Sequence, residues 1–353
     1  MKRAATSISK RLLAAIAAGG LLCAASHAWA GVYEDGEKAY WSHEYATALR
    51  LLKPLADGGD TRAERMIGFM YLNGLGVQQN KALALNWMLR AAVNGNAAAQ
   101  TSAGHAYFDG WGMSPDLVRS AKWLRRAADQ GDAEGQYQLG ATYENGFGVP
   151  QDYIEAMKWS ILAVEHYPAS EAENRRLAAV NRDRQGEHLN HDQIAEAQRR
   201  ASQWRPRPFT KTVEDAKLEA TLALARDDYK DAARLFLPLA RQGIADAQVM
   251  LGQLYNTGSG ITEDHAEAVR WFRLAAKQGD AGGAYSLGEA YAGDRDDVHA
   301  YLWYEIAAAS GDSYASKFAM ARDKLAGRMT TQQISQARSL AATCKASHYQ
   351  DCG

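Results

Sequence analysis

The residues best placed for covalent chemistry are Cys344 and Cys352, eight apart near the C-terminus. In an oxidising compartment such a pair reads as a disulfide. Closing so short a loop would stabilise the fold by roughly 2–3 kcal/mol, and its task would be to pin the end of the chain. A metal site here would have only His348 to add, and a reactive thiol is the weaker alternative still. His188 and His191 form a His-x-x-His pair in a polar stretch. Zinc takes about four ligands in ordered spacing, and no cysteine lies near, so the pair reads as exposed loop histidines. Gly258-Ser259-Gly260 has the outline of a nucleophile elbow, but no strand precedes it. Ser7-x-x-Lys10 falls inside the segment read below as an export signal. Asp296 and Asp297 sit in a turn and cap the next helix. A nucleophilic hydrolase needs a Ser or Cys activated by a base, and none is legible. Neither a phosphate loop, a Rossmann fingerprint nor a His-Glu-x-x-His helix occurs. The chain is expected to have no catalytic residue, no metal site and no cofactor.

What the sequence does carry is a repeat. Gly68, Gly104 and Gly140 are 36 apart, and Tyr71, Tyr107 and Tyr143 keep the same period. So do Gly74, Gly110 and Gly146, then Gly76, Gly112 and Gly148, then Trp87, Trp123 and Trp159. The pattern returns with Gly252 and Gly288, with Tyr255 and Tyr291, and with Trp271 and Trp303, this last pair 32 apart because one loop is four residues shorter. A fixed period of this length means a stacked array. The first half of each unit (63–73, 99–109, 135–145) spaces its apolar residues for a short amphipathic helix. Its mid-helix glycine costs roughly 1 kcal/mol against alanine, so its recurrence implies close helix–helix approach. A Gly-x-Gly turn follows, and then a longer helix (82–94, 118–130, 154–165) with Trp and Ala four apart on one face. Gly95-Asn96 and Gly131-Asp132 read as a helix end followed by the next N-cap.

This frame is that of a known family. Ala-x-x-x-Leu-Gly-x-x-Tyr-x-x-Gly-x-Gly-Val, followed by Ala-x-x-Trp-x-x-x-Ala-Ala-x-x-Gly, resembles the Sel1-like repeat, and the stretch from Gln138 to Asp152 is a close match. The unit around Tyr291 departs from it, with Gly293-Asp294-Arg295 in place of Gly-x-Gly, and Gly135 and Gly283 replace the usual Ala. The expected fold is all-α, an α-solenoid of helix-turn-helix, TPR-like units. The resemblance implies a binding scaffold acting in envelope assembly, signalling control or host contact. Cysteine-rich relatives have been proposed to bind or cleave β-lactam-like substrates. They resemble a one-disulfide-per-repeat design, and this chain has no cysteine within a repeat.

The array is duplicated. Leu52-Lys53-Pro54-Leu55-Ala56 matches Phe236-Leu237-Pro238-Leu239-Ala240, and Gly68 and Gly252 lie 184 apart. Each copy opens on a degenerate helix pair (32–57, 213–242) and closes on a capping helix that starts at Asn190 or Thr330. Such caps cover the open apolar end of a solenoid. Pro206 and Pro208 forbid a helix between the copies and favour an extended joint, read as a semi-flexible hinge. The expected organisation is a signal over 1–30, array 1 over 31–204, a linker over 205–212 and array 2 over 213–353. The arginines before the linker (Arg175, Arg176, Arg182, Arg184, Arg199, Arg200) alternate with acids and read as a solvated face. An acidic partner is the sharper alternative.

Residues 1–30 begin with four basic residues, run through an apolar stretch over 12–25, and end on Ala28-Trp29-Ala30, a small-x-small cleavage site. The apolar run falls short of the roughly 20 residues a membrane span needs. Leu22 precedes Cys23 where lipidation sites carry small residues, so Cys23 is read as unlipidated. Cleavage after Ala30 is expected, with export to the periplasm or beyond. Removing four of the 40 Lys and Arg leaves 36 against 41 Asp and Glu, a net of −5. That opposes nucleic-acid binding, which needs a clustered basic face.

Positions that differ between units are the candidates for recognition. The repeat tryptophans are expected in the core. The residue after the mid-helix glycine and the residue three before it change from unit to unit, which nominates Phe69, His105, Tyr137, Tyr285 and Glu289 on the concave side. Leu75, Trp111 and Phe147, the x of Gly-x-Gly, either form a ladder along one edge, with Trp111 pointing out of the array, or are turn residues that pack on a neighbouring unit. The function expected is that of an exported, non-catalytic adaptor for a protein or peptide partner. The alternatives are a β-lactam- or cell-wall-related hydrolase or binding protein of the Sel1-repeat type, and a polysaccharide-associated envelope scaffold, since aromatic rings stack on sugars.

Overall fold

The structure, a computed structural model, describes residues 31–350 and 352. The expected signal and Cys23 lie outside the described residues. Among those described the chain is helical, with no strand. It divides into two compact units, the first ending at Lys211 and the second beginning at Thr212.

Unit 1 holds α1 (31–41), α2 (Tyr45–Asp57), α3 (Thr61–Asn73), α4 (Lys81–Val93), α5 (Ala97–Asp109), α6 (Leu117–Asp129), α7 (Ala133–Asn145), α8 (Tyr153–His166), α9 (Ala172–Gly186) and α10 (His191–Gln203). Unit 2 holds α11 (Val213–Leu224), α12 (Tyr229–Arg241), α13 (Ala245–Thr257), α14 (His265–Ala276), α15 (Ala281–Gly293), α16 (Asp297–Ala308), α17 (Ala315–Ala326) and α18 (Thr331–Ala346). The first helix of each repeat starts two residues before the apolar periodicity does. The reason is capping: the Asp60, Asn96 and Asp132 side chains accept from the amides of Ala63, Ala99 and Gly135. The same helices end on glycines in the left-handed region, Gly74, Gly110 and Gly146. In the unit without Gly-x-Gly, Arg295 takes the left-handed conformation at φ 62°.

Each helix pair closes on its tryptophan. Trp159 and Trp303 are 0% and 2% exposed, and Trp87, Trp123 and Trp271 are buried beside them in the sequence pattern. The mid-helix glycine is where the two helices touch: a Cβ on Gly252 would come 2.5 Å from the Phe272 ring. A polar ladder runs through the same core. The buried Gln100, Gln136 and Gln248 side chains donate to the carbonyls of Ala92, Ala128 and Ala240 in the last turn of the preceding helix, at 3.0, 3.2 and 3.1 Å. Gln130 and Gln278 then donate to Gln100 and Gln248, at 2.7 and 2.8 Å. These buried amides are satisfied, as interior polar groups must be.

Both capping helices begin with reciprocal capping boxes, Asn190 with Gln193 and Thr330 with Gln333. The Cys344–Cys352 disulfide closes the chain after α18. Pro206 and Pro208 do keep the joint out of helix, but the joint is not free of unit 1. The Arg207 amide donates to the Asp129 carbonyl at 2.7 Å, and Lys211 Nζ reaches Asn94 Oδ1 at 2.8 Å. Phe209 and Trp204 also lie against the array. Residues 204–211 are thus fastened to unit 1.

The helix ahead of the first cap, α9, is fastened by Glu144 of α7, which accepts from Arg184 Nε at 2.8 Å and from Gln185 Nε2 at 2.9 Å. Burial alone would push this carboxyl up, but the bonds from Arg184 and Gln185 outweigh it and hold the carboxyl below its ordinary value of 4.5. A depressed carboxyl adds stability above its unfolded value and loses it as pH falls through the folded one. Urea unfolding between about pH 5 and 3 should therefore fall more steeply in the unsubstituted chain than in Glu144→Gln. Equal slopes would remove the pair from the account.

Candidate binding surface

The positions after the mid-helix glycine are set by that glycine. Gly68, Gly104, Gly140, Gly252 and Gly288 turn toward the second helix of their own repeat. The next residue is rotated about 100° around the axis, away from that contact. It is half-buried in unit 1 (Phe69, His105, Ala141) and exposed in unit 2 (Gln253, Glu289). The face therefore changes character along the chain. Phe69 takes the Arg65 guanidinium over its ring at 5.4 Å, and Arg62 lies 4.1 Å from the Tyr33 ring. His105 follows, with Nε2 enclosed. In unit 2, Glu289 accepts a hydrogen bond from the Tyr304 hydroxyl. Burial and that bond push the Tyr304 phenol above its ordinary range, so it stays a donor.

Tyr137 and Tyr285, three residues before the glycine, are half-buried under neighbouring helices. Tyr137 packs with Ala163, Tyr167 and Ala178. Tyr285 stacks on Phe318 at 4.8 Å, with Lys317 5.2 Å from its ring. Their counterparts Thr101 and Val249 are buried outright, while Arg65 in the first repeat lies over the Phe69 ring.

The edge residues part company. Leu75 is half-buried against the first core. Trp111 is only 9% exposed, which corrects the reading that it points out of the array. Gly112 seats against Ala82 at the start of α4, and this carries the turn onto the previous repeat. Phe147 is the exposed one. It meets Phe108 edge to face at 5.4 Å, with exposed Leu117 and Val118 under its turn.

The residues weighed for chemistry are drawn apart. His188 stacks on Tyr153 at 4.3 Å while His191 is open to solvent beside Asp192. The Ser259 hydroxyl is engaged by Thr257 at 2.8 Å. Asp296 caps α16 and holds His299 at 2.7 Å, and Asp297 pairs with Arg328. Among the described residues no three His, Cys, Asp or Glu side chains cluster for a metal, and no helix is long and apolar enough to cross a membrane.

A family model for the Sel1 repeat matches five segments: 61–96, 97–132, 133–166, 245–280 and 281–312. The chain is a Sel1 repeat protein. The matched segments coincide with the helix pairs α3–α4, α5–α6, α7–α8, α13–α14 and α15–α16. Two solved structures are similar. One is a Sel1 repeat protein from Oxalobacter formigenes, 25% identical over 78% of this chain and 96% of that one, with a TM-score of 0.37. The other is a protective antigen present in uropathogenic Escherichia coli strains and displaying an SLR fold, 23% identical over 91% and 85%, with a TM-score of 0.36. No curated protein matches the chain. Sel1 repeats commonly serve as protein-interaction scaffolds.

Sequence reasoning passed over the buried glutamine ladder. Its signal was present, since Gln100 and Gln136 are 36 apart and Glu64 precedes them by the same step.

Proposed function

We propose that this Sel1 repeat protein is an exported, non-catalytic scaffold that binds a protein or peptide partner through the first-helix face of its repeats, in the cell envelope. One observation carries the reading. The mid-helix glycine and the second-helix tryptophan recur in all five copies and are buried, whereas the position after that glycine changes from Phe69 to His105, Ala141, Gln253 and Glu289 and keeps access to solvent. A scaffold position is fixed by packing, while a partner-facing one is free to diversify. The Cys344–Cys352 disulfide supports an oxidising compartment, as does the basic, then apolar character of residues 1–30. Recognition of a folded partner needs about 1,600 Å² of buried surface in total, which an extended array can supply.

A photo-crosslinking residue placed at Phe69, Gln253 or Glu289 should capture a defined envelope partner. The same residue at exposed Lys122, on the second helix of its repeat, should not. Equal yields from the two faces would overturn the reading.

A further inference from the structure

The turns that join one repeat to the next present a second surface. At each, the second helix of a repeat ends, a glycine follows, and the next first helix begins. Three of these glycines carry an aromatic ring from elsewhere in their own unit. A Cβ on Gly95 would meet the Phe209 ring at 2.7 Å, and one on Gly131 the Trp204 ring at 3.6 Å. In unit 2, a Cβ on Gly279 would meet the Tyr349 ring at 3.4 Å. The rings come from two segments unrelated in sequence, one following α10 and the other inside the disulfide loop after α18. At Gly59, Gly243 and Gly311 nothing among the described residues comes within 4 Å. The seat thus occurs in both units, at three of these six turns, and it accepts different rings.

The surroundings define what else it accepts. The strip in unit 1 follows the C-terminal ends of α4 and α6, where the helix dipole places partial negative charge. The resident segment 204–211 answers with Arg205, Arg207 and Lys211 and no acid. Its main chain donates to the Asp129 carbonyl at 2.7 Å, and Lys211 reaches Asn94 at 2.8 Å. Residues 205–208 are otherwise exposed, so few contacts hold the segment down.

We propose that the turn edge of unit 1 is a docking site for an extended, basic peptide bearing two aromatic residues five positions apart, and that residues 204–211 keep it closed in cis. This edge is a different surface from the first-helix face, and the proposal does not rest on the function proposed above. A partner peptide displaces the resident one. Its apparent affinity is then the intrinsic one reduced by the fraction of chains in which the edge is open.

The test uses the purified chain and a fluorescein-labelled peptide, Gln-Trp-Arg-Pro-Arg-Pro-Phe-Thr-Lys, that copies residues 203–211. The variant Phe209→Ala/Lys211→Ala frees the Gly95 end and leaves Trp204 packed on Trp159 and His166. By anisotropy it should bind the peptide about tenfold more tightly than the unsubstituted chain. Arg207→Pro, which deletes the amide that reaches Asp129, should shift binding in the same direction. Peptides with both rings changed to alanine, or with the basic residues changed to glutamate, should not bind. A variant of unchanged helical circular dichroism that fails to bind overturns the proposal, and so does equal affinity for all chains. Should the double variant not fold, Arg207→Pro supplies the same comparison.

Discussion

Replacing Arg90 with methionine is expected to destabilise the chain by about 3–5 kcal/mol, the cost of leaving a buried charge without its partner. Glu64 is 0% exposed, and its carboxylate lies 2.7 Å from Arg90 Nε. Arg90 in turn donates to the Asp57 carbonyl at 3.0 Å. The other repeats show what the position tolerates. Where Glu64 stands here, three of the four others carry Gln100, Gln136 and Gln248, each neutral and each donating to a backbone carbonyl eight residues earlier, and the fourth carries Ala284. Changing Glu64 to Gln in the Arg90→Met background should therefore recover most of the loss, since a buried amide can be satisfied by the backbone while a carboxylate cannot. Urea unfolding of all four corners of the cycle reads the coupling directly. A double variant no more stable than Arg90→Met would show that the charge was not the cause.

The second large effect is expected from Gly148→Ala, set against Gly146→Ala in the same turn. Both glycines are left-handed, at φ 71° and 70°, so either substitution carries about 1–2 kcal/mol of backbone strain. They differ in what a side chain would strike. At Gly146 the nearest atom would be 3.5 Å away, an ordinary contact. At Gly148 a Cβ would fall 2.1 Å from the Leu117 carbonyl oxygen and 2.6 Å from the Val118 nitrogen. Those are backbone atoms of the first turn of α6 and cannot rotate aside. Overpacking adds about 1–3 kcal/mol, so Gly148→Ala should lose about 2–5 kcal/mol and Gly146→Ala only the strain of about 1–2 kcal/mol. Thermal unfolding of the pair measures the difference, and equal losses would mean that close approach plays no part. The second glycine of the motif thus sets the distance between successive repeats, while the first only ends a helix. Gly260, 2.1 Å from the Tyr229 carbonyl carbon by the same construction, does so in unit 2.

What the sequence determined on its own is whatever neighbouring residues decide among themselves. The 36-residue period, the helix pairs, the N-caps at Asn96 and Asp132, the capping helices that start at Asn190 and Thr330, and the buried tryptophans were all legible. Apolar spacing at three and four residues, a side chain that caps its own helix and a glycine that ends it are local facts. Repetition of the pattern amplifies them. The tertiary structure alone decided the rest, because each case turns on groups far apart in the chain. Trp111 is buried because its turn settles on Ala82, and Tyr137 is half-covered because it packs with Tyr167 and Ala178. Residues 204–211 lie on unit 1 because Asp129 and Asn94, 78 and 117 positions before Arg207 and Lys211, offer them acceptors. Spacing along the chain records which residues share a helix face. It does not record which distant backbone oxygen or ring will come to rest against that face.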